Sequence, residues 1–187
     1  MDVKLFGDRM IDPTSLEGLS SRIFQCSIIG ANELRRATGK AIPRSIWLSI
    51  VFEHLFFYVT LAGRHTWAHL PVKKQESMTA KMAGILLPAV VDYVFEDGSE
   101  EENVARVDHF KGELAARMRE YGKFKFIICE SESEESKGTA LWAFCNKVSA
   151  LAGCPDDLVG IMTAHAHIYD SMMAIGMDTR KPTESRR

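Results

Sequence analysis

Residues 46–62 read IWLSIVFEHLFFYVTLA, and this stretch decides the fold. Only four of its residues are polar, and two of them, Glu53 and His54, are ionisable neighbours near the middle. The run is too long for a single strand, so it predicts a helix. Pro43 suits the first position of that helix, which we expect to end near residue 65.

The same stretch is also a candidate for a membrane-spanning helix. A helix needs about 20 apolar residues to cross a bilayer, whereas this run is shorter and carries Glu53 at its centre. A central carboxylate costs about 3 kcal/mol on insertion scales. We therefore expect no membrane insertion and interpret the segment as the central helix of a soluble bundle.

Helical periodicity and stop signals divide the rest of the chain into five further segments. They are predicted at residues 15–38, 72–95, 99–121, 139–152 and 155–175. The fold prediction is an all-α, single-domain bundle of about five to seven helices around a hydrophobic central helix, covering residues 1–177. Residues 178–187 are polar and are predicted to form a flexible C-terminal tail.

Individual residues refine these boundaries. Thr14 with Glu17, and Ser99 with Glu102, have the form of capping boxes and predict where two helices begin. Pro88 falls inside the third segment and should kink it or split it in two. Residues 124–129 could extend the fourth helix or form a short strand.

On two of the predicted helices, the helical spacing indicates which polar residues face the core and which face solvent. In the fourth segment, Tyr121 belongs to the apolar stripe and Arg117 to the charged, outward face. In the sixth segment, an otherwise apolar stripe contains His165. His167 lies about 200° around the same helix and should therefore face solvent.

Composition excludes several classes of protein. The net charge is −2 and the isoelectric point is about 6.3, so no basic field attracts nucleic acid and we expect no nucleic-acid partner. The four cysteines, Cys26, Cys129, Cys145 and Cys154, lack the CxxC spacing of zinc sites. No basic segment followed by an apolar stretch opens the chain, so we expect a cytoplasmic protein with reduced thiols.

Four ionisable residues in apolar surroundings are candidate metal ligands: Glu53, His54, Asp92 and His165. Helix bundles hold carboxylate–histidine metal centres in their cores, but those usually carry Glu-x-x-His, which this chain lacks. The alternative is a structural network, in which Glu53 or Asp92 binds a histidine, Arg64 or a tyrosine. No cofactor is predicted.

Three functions follow from these patterns. The many aromatic residues of the central helix favour a non-catalytic module that binds a protein partner or forms a homodimer, because we expect a small bundle to leave part of them uncovered. One alternative is a metal-binding protein or metal-dependent enzyme. The other is a pocket for a small apolar ligand, lined by methionines and aromatic residues and oriented by a buried carboxylate. Phosphate-loop, nucleotide-binding, nucleophile-elbow and HExxH motifs are missing; this does not exclude an enzyme, but it leaves the sequence without a motif that names a reaction.

Overall fold

A computed structural model describes residues 5–6, 11–12, 14–65, 67, 70–128 and 138–175. Within these residues the chain forms six helices and no strand. They are α1 (Leu16–Thr38), α2 (Arg44–His65), α3 (Val72–Val94), α4 (Glu100–Gly122), α5 (Ala140–Leu151) and α6 (Leu158–Ala174). The predicted all-α bundle is therefore confirmed.

The second helix, α2, occupies the centre of the bundle. It packs against α1, α3, α4 and α5, and every residue from 50 to 62 is buried. The sixth helix, α6, packs mainly on α1 and α5. The apolar run that opened the sequence analysis is thus the post around which the other helices assemble, because burying it removes the largest apolar surface from water.

Two helices are long and apolar enough to span a bilayer by length and composition. They are Arg44–Arg64 and Val72–Val94, whose apolar windows are 78% and 33% buried inside the protein. The central helix of a soluble bundle passes the same test, so these lengths are weak evidence for a membrane protein.

The helix ends follow the capping signals, with two corrections. Ser99 and Glu102 form the predicted capping box of α4. The N-cap of α1 is Ser15 rather than Thr14, because the Ser15 hydroxyl accepts the Gly18 amide while the Thr14 hydroxyl donates to Asp12. The sixth helix begins at residue 158 rather than 155.

The late start of α6 has a backbone cause. Asp156 has a positive φ of 61°, which interrupts the helical path. The Asp157 carboxylate then accepts the Val159 amide and caps the helix. The third helix, in contrast, continues through Pro88 as one element and is not split. Residues 124–128 neither extend α4 nor form a strand.

Some predictions lie outside the described residues, among them the tail at 178–187 and Cys129. The other three cysteines, Cys26, Cys145 and Cys154, are buried free thiols, as expected.

The α4 capping box allows a test of the fold. Replacing Ser99 with alanine removes the hydroxyl that accepts the Glu102 amide, and should lower the free energy of unfolding by about 1 kcal/mol. Ser77 lies exposed inside α3, so Ser77→Ala should cause no loss, because alanine is the better helix former. Urea denaturation of both variants measures the difference. Equal stabilities would contradict the assigned start of α4.

Candidate functional site

The buried carboxylate of Glu53 lies at the centre of an ionic group that we call the Glu53 cluster, formed by Glu53, Arg117, Glu120, Tyr121 and Lys147, in which Tyr121 is also buried and the other three are partly exposed. Arg117 donates from Nε to Glu53 Oε2 at 2.9 Å, and the Tyr121 hydroxyl donates to Oε1 at 2.5 Å. Lys147 Nζ lies 3.6 Å from the same Oε1. Both oxygens of a nearly inaccessible carboxylate are therefore satisfied, as a buried charge requires.

The cluster confirms one expectation and corrects another. The predicted tyrosine partner of the carboxylate is Tyr121; burial and then the Glu53 charge raise the pKa of this phenol, which stays a donor. Arg117, predicted to face outward, instead turns inward to Glu53. Arg64 donates to the carbonyl oxygens of Tyr121 and Phe124 near the end of α4.

A groove of about 470 Å³ lies over this cluster, between α4 and α5. Its apolar lining comes from Leu48, Phe52, Phe56, Phe95, Phe110 and Leu151. The polar lining includes Glu53, Glu113, Arg117 and Lys147. The groove thus combines an apolar body with a charged wall, and its size falls within the range of small-molecule sites.

The neighbouring residue, His54, belongs to a second polar group, which we call the histidine cluster: Cys26, Glu33, His54, His167 and Ser171. His54 is fully buried, and its Nδ1 lies 2.8 Å from the Ile50 carbonyl oxygen. A carbonyl cannot donate, so Nδ1 carries the hydrogen and Nε2 is a bare lone pair. Among the described residues, Nε2 has no hydrogen-bond partner. Burial lowers the pKa of His54 to about 3, so the ring is neutral.

The second ring of this cluster is His167, and here the prediction was wrong. His167 is buried, whereas His165 is only half-buried. His167 Nε2 lies 2.8 Å from the Cys26 carbonyl oxygen and 3.2 Å from the Ser171 hydroxyl, and Nδ1 lies 2.8 Å from Glu33 Oε2. These partners satisfy an imidazole inside the bundle, so the inward face of α6 is rotated from the predicted one.

Gly30 on α1 makes room for both rings. A Cβ atom at this position would lie 2.5 Å from His167 Cδ2 and 2.6 Å from His54 Nε2. Real Cβ atoms do not approach other atoms so closely, so only glycine fits between the two imidazoles.

Asp92, the third predicted ligand, is exposed on α3. Its Oδ1 accepts a hydrogen bond from the side-chain amide of Asn103, Nδ2, at 3.2 Å. The buried face of α3 is the neighbouring stripe that contains Met82, Leu86 and Val90. The predicted inner position of Asp92 was therefore wrong, because the apolar residues of α3 allow two adjacent stripes and packing selects one.

The structure does not bring the four candidate ligands together. Glu53 and His54 are buried but point to different clusters, Asp92 is exposed, and His165 is half-buried. Across the part of the chain that is described, no three histidine, cysteine, aspartate or glutamate side chains are placed to hold a metal ion. The arrangement found instead is a pair of structural polar clusters.

Sequence reasoning missed Arg117, His167 and Glu33. The sequence did contain a signal for a partner of His167. Ser171 follows it by four residues, so the two side chains share one face of the helix. Glu33 and Arg117 are long charged side chains that reach across a helix interface, and such reach leaves no pattern in the sequence.

The Glu53 cluster predicts a large effect at one carboxylate and a small effect at another. Glu53→Gln removes a buried charge that faces Arg117 and Lys147, and should lower the free energy of unfolding by about 3 kcal/mol. Glu113 also pairs with Arg117, but 41% of its side chain is exposed, so Glu113→Gln should cost less than about 1 kcal/mol. Denaturant unfolding at neutral pH compares the two variants, and equal losses would count against a buried cluster.

Compared with known proteins, the chain matches no family model, no curated protein and no solved structure at a significant level, so the site rests on its own geometry.

Proposed function

We propose that the protein is a non-catalytic helical module that self-associates through the outward face of α6. The observation that carries this proposal is an exposed apolar stripe on that helix. Leu158, Val159, Met162 and Met173 are 64%, 57%, 49% and 50% exposed. At 100° per residue they lie within an arc of about 100°, on the side opposite the buried face.

The chemistry of this stripe fits a protein interface. Asp170 is the only charged residue (Asp, Glu, Lys or Arg) in the sequence of α6, so little charge opposes burial of the face. Methionine side chains are flexible and adapt to a partner surface. Exposed apolar side chains that share one face of a helix are typical of interaction sites.

The initial reason for expecting an interface no longer supports it. Four of the five aromatic residues of α2, including Phe52 and Phe56, are buried by the bundle, and Trp47 is half-buried. Four of the nine exposed large hydrophobic residues among the described residues lie on α6, and the other five are spread over α1, α3, α4 and the segment after α4. Two copies that place α6 against α6 around a two-fold axis would bury the same patch on both subunits.

The area of the outward face of α6 determines how tightly we expect two copies to associate. A helix of 17 residues is about 25 Å long, and a stable interface buries about 800 Å² on each partner. One helix face supplies less than this, so we expect a dimer with a dissociation constant in the micromolar range.

A charge in the stripe should break the dimer. Met162→Glu places a carboxylate at the centre of the proposed interface and should weaken association at least about tenfold. Val104→Glu introduces the same charge at a 58% exposed position on α4 and should leave association unchanged. Sedimentation velocity at about 50 µM measures both. A wild-type protein that is strictly monomeric, or equal behaviour of the two variants, would rule out the proposal.

The groove over the Glu53 cluster favours a second candidate function, the binding of a small amphipathic ligand. No methionine is among its described lining residues, contrary to the sequence expectation, but aromatic residues and the buried carboxylate are present. Three carboxylates, Glu53, Glu113 and Glu120, face two cations, Arg117 and Lys147. The excess negative charge disfavours an anionic ligand.

Three ligands that share one hydrocarbon chain and differ in the charge of the head group test this second function. Dodecylamine and dodecanol should raise the melting temperature more than dodecanoate, because of the excess carboxylate. Ser49→Trp fills the groove from its exposed rim and should abolish the shift. Ser77→Trp on α3 should retain it. Thermal unfolding without any shift, or an unaffected Ser49→Trp variant, would exclude this function.

A further inference from the structure

One end of the bundle combines exposed basic side chains with exposed apolar ones. It is formed by the start of α3, residues 72–81, and by the end of α4 with the segment after it, residues 119–126. Both stretches meet where α2 ends. A Cβ atom on Gly63 would lie 2.8 Å from the Thr79 hydroxyl oxygen, so α2 and α3 touch there. Arg64 donates to a carbonyl oxygen just after α4 at 3.1 Å. We call this surface the basic end.

Positive charge dominates the basic end. Six cationic side chains of the two stretches are exposed: Lys73, Lys74, Lys81, Arg119, Lys123 and Lys125. The same stretches contain two carboxylates, Glu76 and Glu120. Glu120 is already bound to Arg117 and Lys147. Within the part of the chain that the structure describes, none of the six cations forms an ion pair, so their charge is available to an anionic partner.

The first turn of α3 carries these charges at a cost to the helix itself. Lys73 and Lys74 lie in that turn, which contains no acidic residue, and Pro71 before it provides no side-chain cap. The positive end of the helix dipole disfavours cations at this position. A local rule that is broken in this way is expected at a functional surface rather than at a neutral one.

Two large apolar side chains are exposed among the cations. Val72 is 66% exposed at the start of α3, and Phe126 is 55% exposed beside Lys125, whose Nζ lies 5.0 Å from the ring centroid. Lysines around exposed apolar side chains suit the interface of an anionic bilayer, where the cations meet lipid head groups and the apolar groups enter the acyl boundary. Nucleic acid would be attracted by the charges, but an aliphatic side chain such as Val72 offers no ring on which a base could stack.

We propose that the basic end binds the surface of membranes that contain anionic phospholipids. Val72 and Phe126 enter the interfacial layer, and the surrounding lysines contact the head groups. The bundle stays folded and lies on the membrane, with α2 still at its centre. This inference does not depend on self-association through α6.

The opposite end of the α3–α4 hairpin determines how the protein is oriented. The two helices pack against each other and are joined by a short turn, and six exposed carboxylates surround that turn: Asp92, Glu96, Asp97, Glu100, Glu101 and Glu102. A helix of 23 residues is about 35 Å long, whereas repulsion from an anionic surface is screened within about 8 Å at physiological ionic strength. The hairpin therefore binds with its basic end towards the lipid and its acidic turn in solution.

Co-sedimentation of the full chain with vesicles tests the proposal. Vesicles of phosphatidylcholine with about 30% phosphatidylserine should pellet the protein at about 0.1 M salt, and phosphatidylcholine alone should not. One basic residue near an anionic surface strengthens binding about fivefold, so Lys73→Gln combined with Lys74→Gln should weaken binding at least about tenfold. These variants should fold, because they remove cations from the start of a helix.

A matched pair of arginines provides the control. Arg35→Gln combined with Arg36→Gln removes the same charge from exposed positions in the last turn of α1, at the other end of the bundle, and should leave vesicle binding unchanged. No binding of the wild type to phosphatidylserine vesicles, or equal weakening by the two double variants, would overturn the proposal.

The apolar contribution has its own test. Phe126→Ser should weaken vesicle binding at least about fivefold, because it removes an apolar side chain from the lipid interface. Val104→Ser changes a 58% exposed residue nearer the acidic turn and should have no effect. A labelled DNA duplex gives the alternative partner. Binding to DNA without binding to vesicles, or equal behaviour of the two serine variants, would contradict a membrane surface.

Discussion

Burying the central helix is feasible only if its adjacent ionisable residues, Glu53 and His54, are both satisfied by the helices around it. Side chains at adjacent helical positions diverge by about 100°, so a single partner cannot serve both. Glu53 turns towards α4 and α5, where Tyr121, Arg117 and Lys147 neutralise it. His54 uses the carbonyl of its own preceding turn and lies against the ring of His167 on α6. The two residues thereby fix which helices surround which sides of α2.

We expect both polar clusters to restrict how the helices pack against one another. A buried ion pair contributes little net stability, because its attraction offsets the loss of hydration, but breaking it is costly. We therefore expect the Glu53 cluster to contribute mainly by disfavouring misplaced packing of α4 and α5 on α2. We expect the histidine cluster to do the same between α1 and α6, with the difference that its carboxylate, Glu33, is 43% exposed.

The sequence was most informative where a helix has one clearly apolar face or a definite capping residue. The central position of α2, the α4 capping box and the inward face of α4 that contains Tyr121 could all be predicted, whereas the contact between Tyr121 and Glu53 could not. The rotation of α3 and α6 could not, because both helices carry apolar residues around much of their circumference. Which stripe turns inward then depends on the neighbouring helices, and this choice decided the positions of Asp92, His165 and His167. The partners Arg117 and Glu33 depend on side-chain reach, which becomes visible only after the helices are placed.

The missing side chain at Gly30 has a consequence for how this fold can diverge. Two imidazoles from different helices occupy the space that a methyl group would need. Any larger residue at position 30 therefore requires smaller residues at positions 54 and 167 at the same time, so these three sites should vary together in distant homologues. Such joint variation would be a better guide to shared ancestry than overall identity, because it records a single close contact among three helices.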